Sequence, residues 1–250
     1  MVDRTLWMDI DCGERVDLGE GLRLTRVLAP SDCDVPPFDP LLLIDDIDMN
    51  GHGFPSHLHS GFEKLTLTVD GRVRHTDESG HDDILNPGDV HYLFAGAGFV
   101  HAELPVLRCR VIQIWFNIPD VVRSDRGFAK IYRRQACTAH ETDWGSFVQL
   151  AGDSSSISLA CAASVSVYRI KPCAEAKPIL QGVGLAYLLH GGLSTPKGYA
   201  QAGQCLAVRA MHRPFVHFKA RDEGCTLLWI VGNPLQERVS MLGGHVVKAT

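Results

Sequence analysis

Two short pairs carry the strongest chemistry in this chain: His57 and His59 in "SHLHSG", and His101 and Glu103 in "VHAELP". One residue separates the members of each pair, and along a β-strand positions i and i+2 project from the same face, so each pair can aim two donors at one point. Three neutral imidazoles and one carboxylate make an N3O set. Such a set suits divalent iron, manganese, nickel, copper or zinc and can leave coordination positions open for water, a substrate or oxygen. Either pair alone is better read as polar residues on solvent-facing strand positions. It is the two together, separated by enough chain for several strands to roll into a barrel, that point to a metal.

The elements that must position these pairs read as strands. "KLTLTVDGRVRHTD" alternates apolar and polar residues on both sides of Asp70-Gly71, a dipeptide suited to a tight turn, and this predicts a hairpin. "NPGDVHYLFAGAGFVHAE" follows with turn punctuation, and "RCRVIQIWFNIP" supplies a strongly apolar strand that ends at Pro119. Residues 120–144 are charged and irregular, which predicts a connecting segment with one short helix. After it the strand rhythm returns in "VSVYRIKP", "GLAYLLHGGL", "QCLAVRA" and "CTLLWIVGNPL", the last placing an apolar strand before Asn and Pro as "CRVIQIWFNIP" does. The pattern is that of a duplicated all-β domain, each copy an antiparallel barrel or sandwich. The glycine-rich "LLHGGLSTPKGYAQAG" lacks the GK[ST] ending of a phosphate loop and reads as a hairpin connection.

Composition narrows the classes of function. A chain of 250 residues with 45% hydrophobic content can bury one large core or two smaller ones. The net charge is -5, the pI about 6.2, and no basic run exceeds Arg133-Arg134, which argues against direct nucleic-acid binding. The opening "MVDRTLWMDIDCGERVDLGEG" has acidic residues where a signal peptide needs an apolar stretch, and no window approaches about 18 uncharged apolar residues. The expectation is a cytoplasmic protein without membrane partners. The eight cysteines are scattered without a CxxC pair and read as reduced, small hydrophobes.

The stretches "FDPLLLIDDIDM", "HLHSGFEKLTLTVDGRVRHTD" and "NPGDVHYLFAGAGFVHAELP" resemble the pirins, two-domain proteins (bicupins) of the cupin superfamily, specifically over residues 36–119 and more weakly towards the C-terminus. The resemblance implies two cupin-type antiparallel β-barrels with a short connecting segment: an N-terminal metal-binding barrel over residues 1–138 and a C-terminal, metal-free barrel over 139–250. It carries His57, His59, His101 and Glu103 over as ligands of one divalent transition metal per chain, iron first, with nickel, manganese, copper or zinc as alternatives. It further implies a metal-dependent dioxygenase acting on quercetin or a similar flavonol, with a small aromatic substrate and Glu103 as the base for the substrate hydroxyl. The alternative it implies is a non-enzymatic iron-binding regulator whose protein partners are transcription factors or metabolic enzymes.

The chain departs from the pattern at several places. Pirins usually have arginine where Ser60 and Ala97 stand here, so two positive charges near the expected pocket mouth are missing. His91 occupies a place often filled by glutamine and is expected at a rim or on the surface. Glu63 is expected to orient a ligand histidine. His52, His75, His81 and His140 read as solvated loop or turn residues, and His190, His212 and His217 form no pair that could hold a metal.

Overall fold

The structure, a computed structural model, describes all residues except 1–5, 11, 12, 14, 30–35, 197, 210–214 and 250. The chain forms two compact units, one made of residues 13–136 with 235–250, the other of residues 137–234 with 1–12. The chain passes from one unit to the other after residue 136, and the two chain ends each belong to the unit that the neighbouring sequence does not. The strand Leu6–Ile10 pairs with Cys205–Arg209, and the C-terminal segment belongs to the unit that carries the histidine pairs.

That unit has a seven-stranded sheet, in the order Phe128–Tyr132, Val90–Phe94, Phe62–Asp70, Cys109–Asn117, Leu41–Met49, Leu22–Leu28 and Arg15–Asp17. A four-stranded sheet runs Phe54–His59, Phe99–Pro105, Val73–Asp77, Asp82–Leu85. The two strands Val239–Leu242 and His245–Lys248 form a hairpin whose Val239 and Val246 join the core of Leu42, Leu43, Phe62 and Trp115. The other unit is one nine-stranded antiparallel sheet built on Val183–Thr195 and Phe218–Gly232. Its core includes Leu188, Leu206, Phe218 and Trp229. The glycine-rich stretch there forms the expected hairpin, Val183–Thr195 with Gly198–Gln201. The charged stretch expected to hold a single short helix has two 3-10 turns, Asp120–Val122 and Arg134–Ala136, both in the unit of residues 13–136. No helix among the described residues is long and apolar enough to cross a membrane.

The hairpin expected at Asp70-Gly71 does not form. Both edges of Phe62–Asp70 are taken, one by Val90–Phe94 and the other by Cys109–Asn117, so Val73–Asp77 has no edge to fold back on. It pairs instead with Phe99–Pro105 and Asp82–Leu85 in the other sheet. Gly71, at φ +69°, turns this corner so close to the chain that a Cβ there would lie 2.0 Å from the Arg108 carbonyl oxygen. Only glycine fits such a passage.

The corner sets what the two sheets present to each other. Phe62, Lys64, Thr66 and Thr68 share one face of their strand, and Lys64 and Thr66 reach Glu103 of the four-stranded sheet. The polar face of the alternating strand therefore looks inward, and Leu65 and Leu67 on its other face are buried as well.

A second close approach holds the C-terminal hairpin in place. Gly61, at φ +81°, donates its N–H to Gly96, and a Cβ on it would stand 1.8 Å from the Val246 carbonyl oxygen. Gly80, at φ +87°, meets nothing within 4 Å. Gly80→Ala should cost about 1 kcal/mol, the conformational penalty alone, and Gly61→Ala about 3 kcal/mol or more because the hairpin must also move. Denaturant unfolding of the two variants checks this; equal losses would show that the hairpin is not packed against Gly61.

Candidate metal centre

Strand pairing brings the two sequence motifs together. In the pairing of Phe54–His59 with Phe99–Pro105, His57 lies opposite His101 and His59 opposite Phe99. The ladder then slips, because Glu103 faces Phe54 and the Phe54–His59 strand spends one extra residue around Pro55. Proline has no N–H to give the ladder, so a bulge is the natural place for it.

The histidine rings are oriented by backbone carbonyls. His57 Nδ1 donates to the Pro55 oxygen at 2.7 Å, and His59 Nδ1 donates to the Gly244 oxygen at 3.2 Å. With the proton on Nδ1 in both rings, the two Nε2 atoms are lone-pair acceptors, and they face each other 2.9 Å apart. Burial, and then the charge of Lys64, hold His59 down to about 3. Burial likewise lowers His57 and His101. All three are neutral imidazoles at neutral pH. Ring nitrogens of His57, His59 and His101 lie within 4.8 Å of one another, and two bare acceptors at contact distance call for a cation between them. Phe62 and Trp115 stack on each other and meet the His59 ring edge-on, each 5.1 Å from it, which fixes the ring further. His57 is half-buried, so the group is reached from solvent on that side.

Glu103 is differently placed. One oxygen accepts from Lys64 Nζ and from Gln113 Nε2, both at 2.8 Å, and the other accepts from Thr66 Oγ1 at 2.9 Å. His91 Nδ1 stands 3.6 Å from that second oxygen. Burial would raise the Glu103 carboxyl, but the Lys64 ammonium, helped by His91, holds it well below the usual carboxylate range. Lys64 has a side chain 0% exposed. Burial lowers it, and Glu103 opposes that shift. Its Nζ also lies 3.3 Å from His101 Nε2.

A second histidine group adjoins the first. His75, His91 and His101 have ring nitrogens within 4.8 Å of one another and are all buried. His75 Nδ1, both nitrogens of His91 and His101 Nδ1 have no hydrogen-bond partner. Asp77 takes His75 Nε2 at 3.0 Å and His81 Nδ1 at 2.8 Å. A cavity of about 250 Å³, lined among others by His75, Asp77, His81 and Asp83, opens on this side.

Two sequence expectations are corrected here. His91 is not at a rim: it is 0% exposed, because it sits opposite Thr66 on the inward face of Val90–Phe94. His75 is not in a loop: it lies on Val73–Asp77 opposite Glu103, 1% exposed. Glu63 accepts a hydrogen bond from the Tyr92 hydroxyl at 2.9 Å. His52, His81, His140, His190 and His217 are exposed, and His212 lies outside the described residues. Ser60 shares a hydrogen bond of 2.9 Å with His245 Nδ1, and Ala97 is exposed. Lys64, Thr66, Gln113 and Gly244 were not singled out from sequence. The shared parity of Lys64 and Thr66 on one strand was the only signal for them.

Comparisons with known proteins bear on the fold. The Pirin family model matches residues 34–116. A pirin-like protein of Caulobacter vibrioides is 38% identical over 115 residues, 43% of this chain and 41% of the relative. The chain spans about two fifths of the length of the curated relatives it matches first. Among solved structures, a quercetin 2,3-dioxygenase from Acinetobacter baumannii superposes with a TM-score of 0.84 at 19% identity, covering 97% of this chain and 91% of that one. The bacterial pirin YhhW of Escherichia coli, in complex with nickel(II), superposes with a TM-score of 0.74 at 17% identity, covering 92% and 99%. The fold is all-β and is shared with these two structures, and residues 34–116 match the Pirin family model.

Proposed function

We propose that His57, His59 and His101 hold one divalent transition-metal ion per chain, with Glu103 beside it, and that the centre is that of a metal-dependent dioxygenase acting on quercetin or a similar flavonol. The observation that carries the metal is the pair of bare Nε2 atoms 2.9 Å apart in rings whose other nitrogens are spent on carbonyls. Iron is the first candidate, and an imidazole set accepts nickel, copper or zinc as well. The activity is supported by the likeness to relatives and structures that bear the quercetin dioxygenase name.

When bound, the ion supplies Lewis acidity towards a flavonol hydroxyl and redox access to oxygen. The chain's own residues do the rest. Pro55 and Gly244 fix the ring orientation of His57 and His59, and Phe62 with Trp115 keeps water from the inner side of His59. Glu103 is the nearest carboxylate for the hydroxyl proton. Lys64 depresses its basicity, which favours substrates whose hydroxyl is already acidic, as an enolic flavonol hydroxyl is.

Purified wild type should carry close to one transition-metal ion per chain, and His57→Ala and His101→Ala should each lower metal affinity at least about tenfold. Elemental analysis after equilibrium dialysis reads this; unchanged stoichiometry and affinity in both variants would place the metal elsewhere. Metal-loaded wild type should bleach quercetin in air and not under nitrogen, with matching oxygen uptake. No turnover with iron, copper, nickel or manganese would favour the regulator with protein partners instead.

A further inference from the structure

We propose that Lys64 is a built-in competitor for the metal: its ammonium occupies the His101 and Glu103 side of the centre, so that the bound ion is held by three histidines with Glu103 excluded. The inference rests on the metal reading above and concerns which groups reach the ion.

Four observations carry it. Lys64 Nζ points between His101 Nε2, at 3.3 Å, and Glu103, at 2.8 Å, and an ammonium is a donor only. It therefore takes a lone pair of His101, on the ring nitrogen nearest to it, and an oxygen of the carboxylate. Gln113 Nε2 takes a second lone pair of that oxygen and Thr66 Oγ1 one of the other, so both oxygens are already engaged, and the lone pair left on the second oxygen has His91 Nδ1 3.6 Å away. The Lys64 side chain is fully buried, and Glu103 is its only ion-pair partner among the described residues, so the ammonium cannot move to solvent when an ion arrives. Finally, Nζ at 3.3 Å from His101 Nε2 places one positive charge against a ring whose nitrogen lies within 4.8 Å of those of His57 and His59.

The energetics follow from those placements. An ion entering at His57 and His59 must take the His101 lone pair from Lys64 and bear the repulsion of a neighbouring cation. Lys64 then remains on Glu103, where an uncompensated ammonium would otherwise be buried. The centre keeps three imidazoles, no carboxylate, and more open positions than an N3O set would leave.

The test is a cycle on metal affinity, read with cobalt(II) and nickel(II) by chelator competition. Lys64→Met keeps the length of the side chain and frees Glu103, and it should bind either ion at least about thirtyfold more tightly than wild type, the difference between a repelling and an attracting charge at this range. Lys64→Met/Glu103→Gln removes both charges, leaves neither unpaired, and should lose at least about tenfold of that gain. X-ray absorption on the cobalt-loaded proteins should find imidazole as the only protein ligand in wild type and an added carboxylate oxygen in Lys64→Met. Equal or weaker binding by Lys64→Met, or a carboxylate already on the ion in wild type, would overturn the proposal and leave the metal reading standing. Metal bound by Lys64→Met and not by wild type would support the proposal while overturning the native metal centre. Failure of both folded proteins to bind either ion would overturn both.

Discussion

A buried ammonium ties the N-terminal unit together. Lys64 and Glu103 are both almost fully removed from water, and neither charge is tolerable there without the other. Their partners come from three strands of two sheets: Lys64 and Thr66 from Phe62–Asp70, Gln113 from Cys109–Asn117, and Glu103 from Phe99–Pro105. A slip of one residue in Phe62–Asp70 would turn Glu63, Leu65 and Leu67 inward and leave Glu103 without its cation. The ion pair therefore acts as a register mark. Burial, and after it the same charge, holds the neighbouring His59 and His101 neutral, so the packing that fixes the sheets also keeps these rings as lone-pair donors.

The end of the chain does comparable work at the other side of the centre. The hairpin of Val239–Leu242 and His245–Lys248 contributes Val239 and Val246 to the core, and the turn between its strands supplies the Gly244 carbonyl that sets the His59 tautomer. Backbone bonds from Ser60 to Gly244 and from Val246 to Ser60 lock the turn beside the histidine. A ring held by a bond across 185 residues is placed by tertiary structure, and its orientation is only as secure as the docking of that hairpin. Gly61 permits the approach because it carries no Cβ to meet Val246.

These two constraints also explain what could be read in the sequence. The spacing of His57 with His59 and of His101 with Glu103 was legible because strand parity is local: it needs only the pleat, and the structure puts all four residues on strands that pair. Which face of Phe62–Asp70 turns inward was not legible. Alternation suggests that Leu65 and Leu67 face the core, yet both faces are buried and the polar one meets Glu103, an outcome set by partners far along the chain. Asp70-Gly71 carried a genuine turn signal, but the signal does not say whether the chain returns on its own sheet or crosses to another. That depends on whether the strand edges are free, and here they are not. His91 looked like a surface residue because nothing local distinguishes a lone histidine in "VHYLF" from a solvated one. The return of residues 235–250 to the first unit left no mark in composition.

The distribution of positive charge around the histidines bears on how a substrate would reach them. Where the pirin pattern has arginines, Ser60 is engaged with His245 and Ala97 offers no charge. Arg123 approaches the same loop through the Gly61 carbonyl oxygen, but its charge is taken up by Asp120, with Glu237 close by. Lys64 lies 3.3 Å from His101 Nε2 and is compensated by Glu103. An anionic flavonolate approaching the His57 side thus meets no uncompensated arginine at either position, whereas a neutral flavonol loses little by their absence. Under the proposed activity the substrate would enter neutral and give up its proton only beside the ion. The charge that the pirin pattern places near the mouth would be replaced here by one placed inside, where it acts on the ligands rather than on the approach.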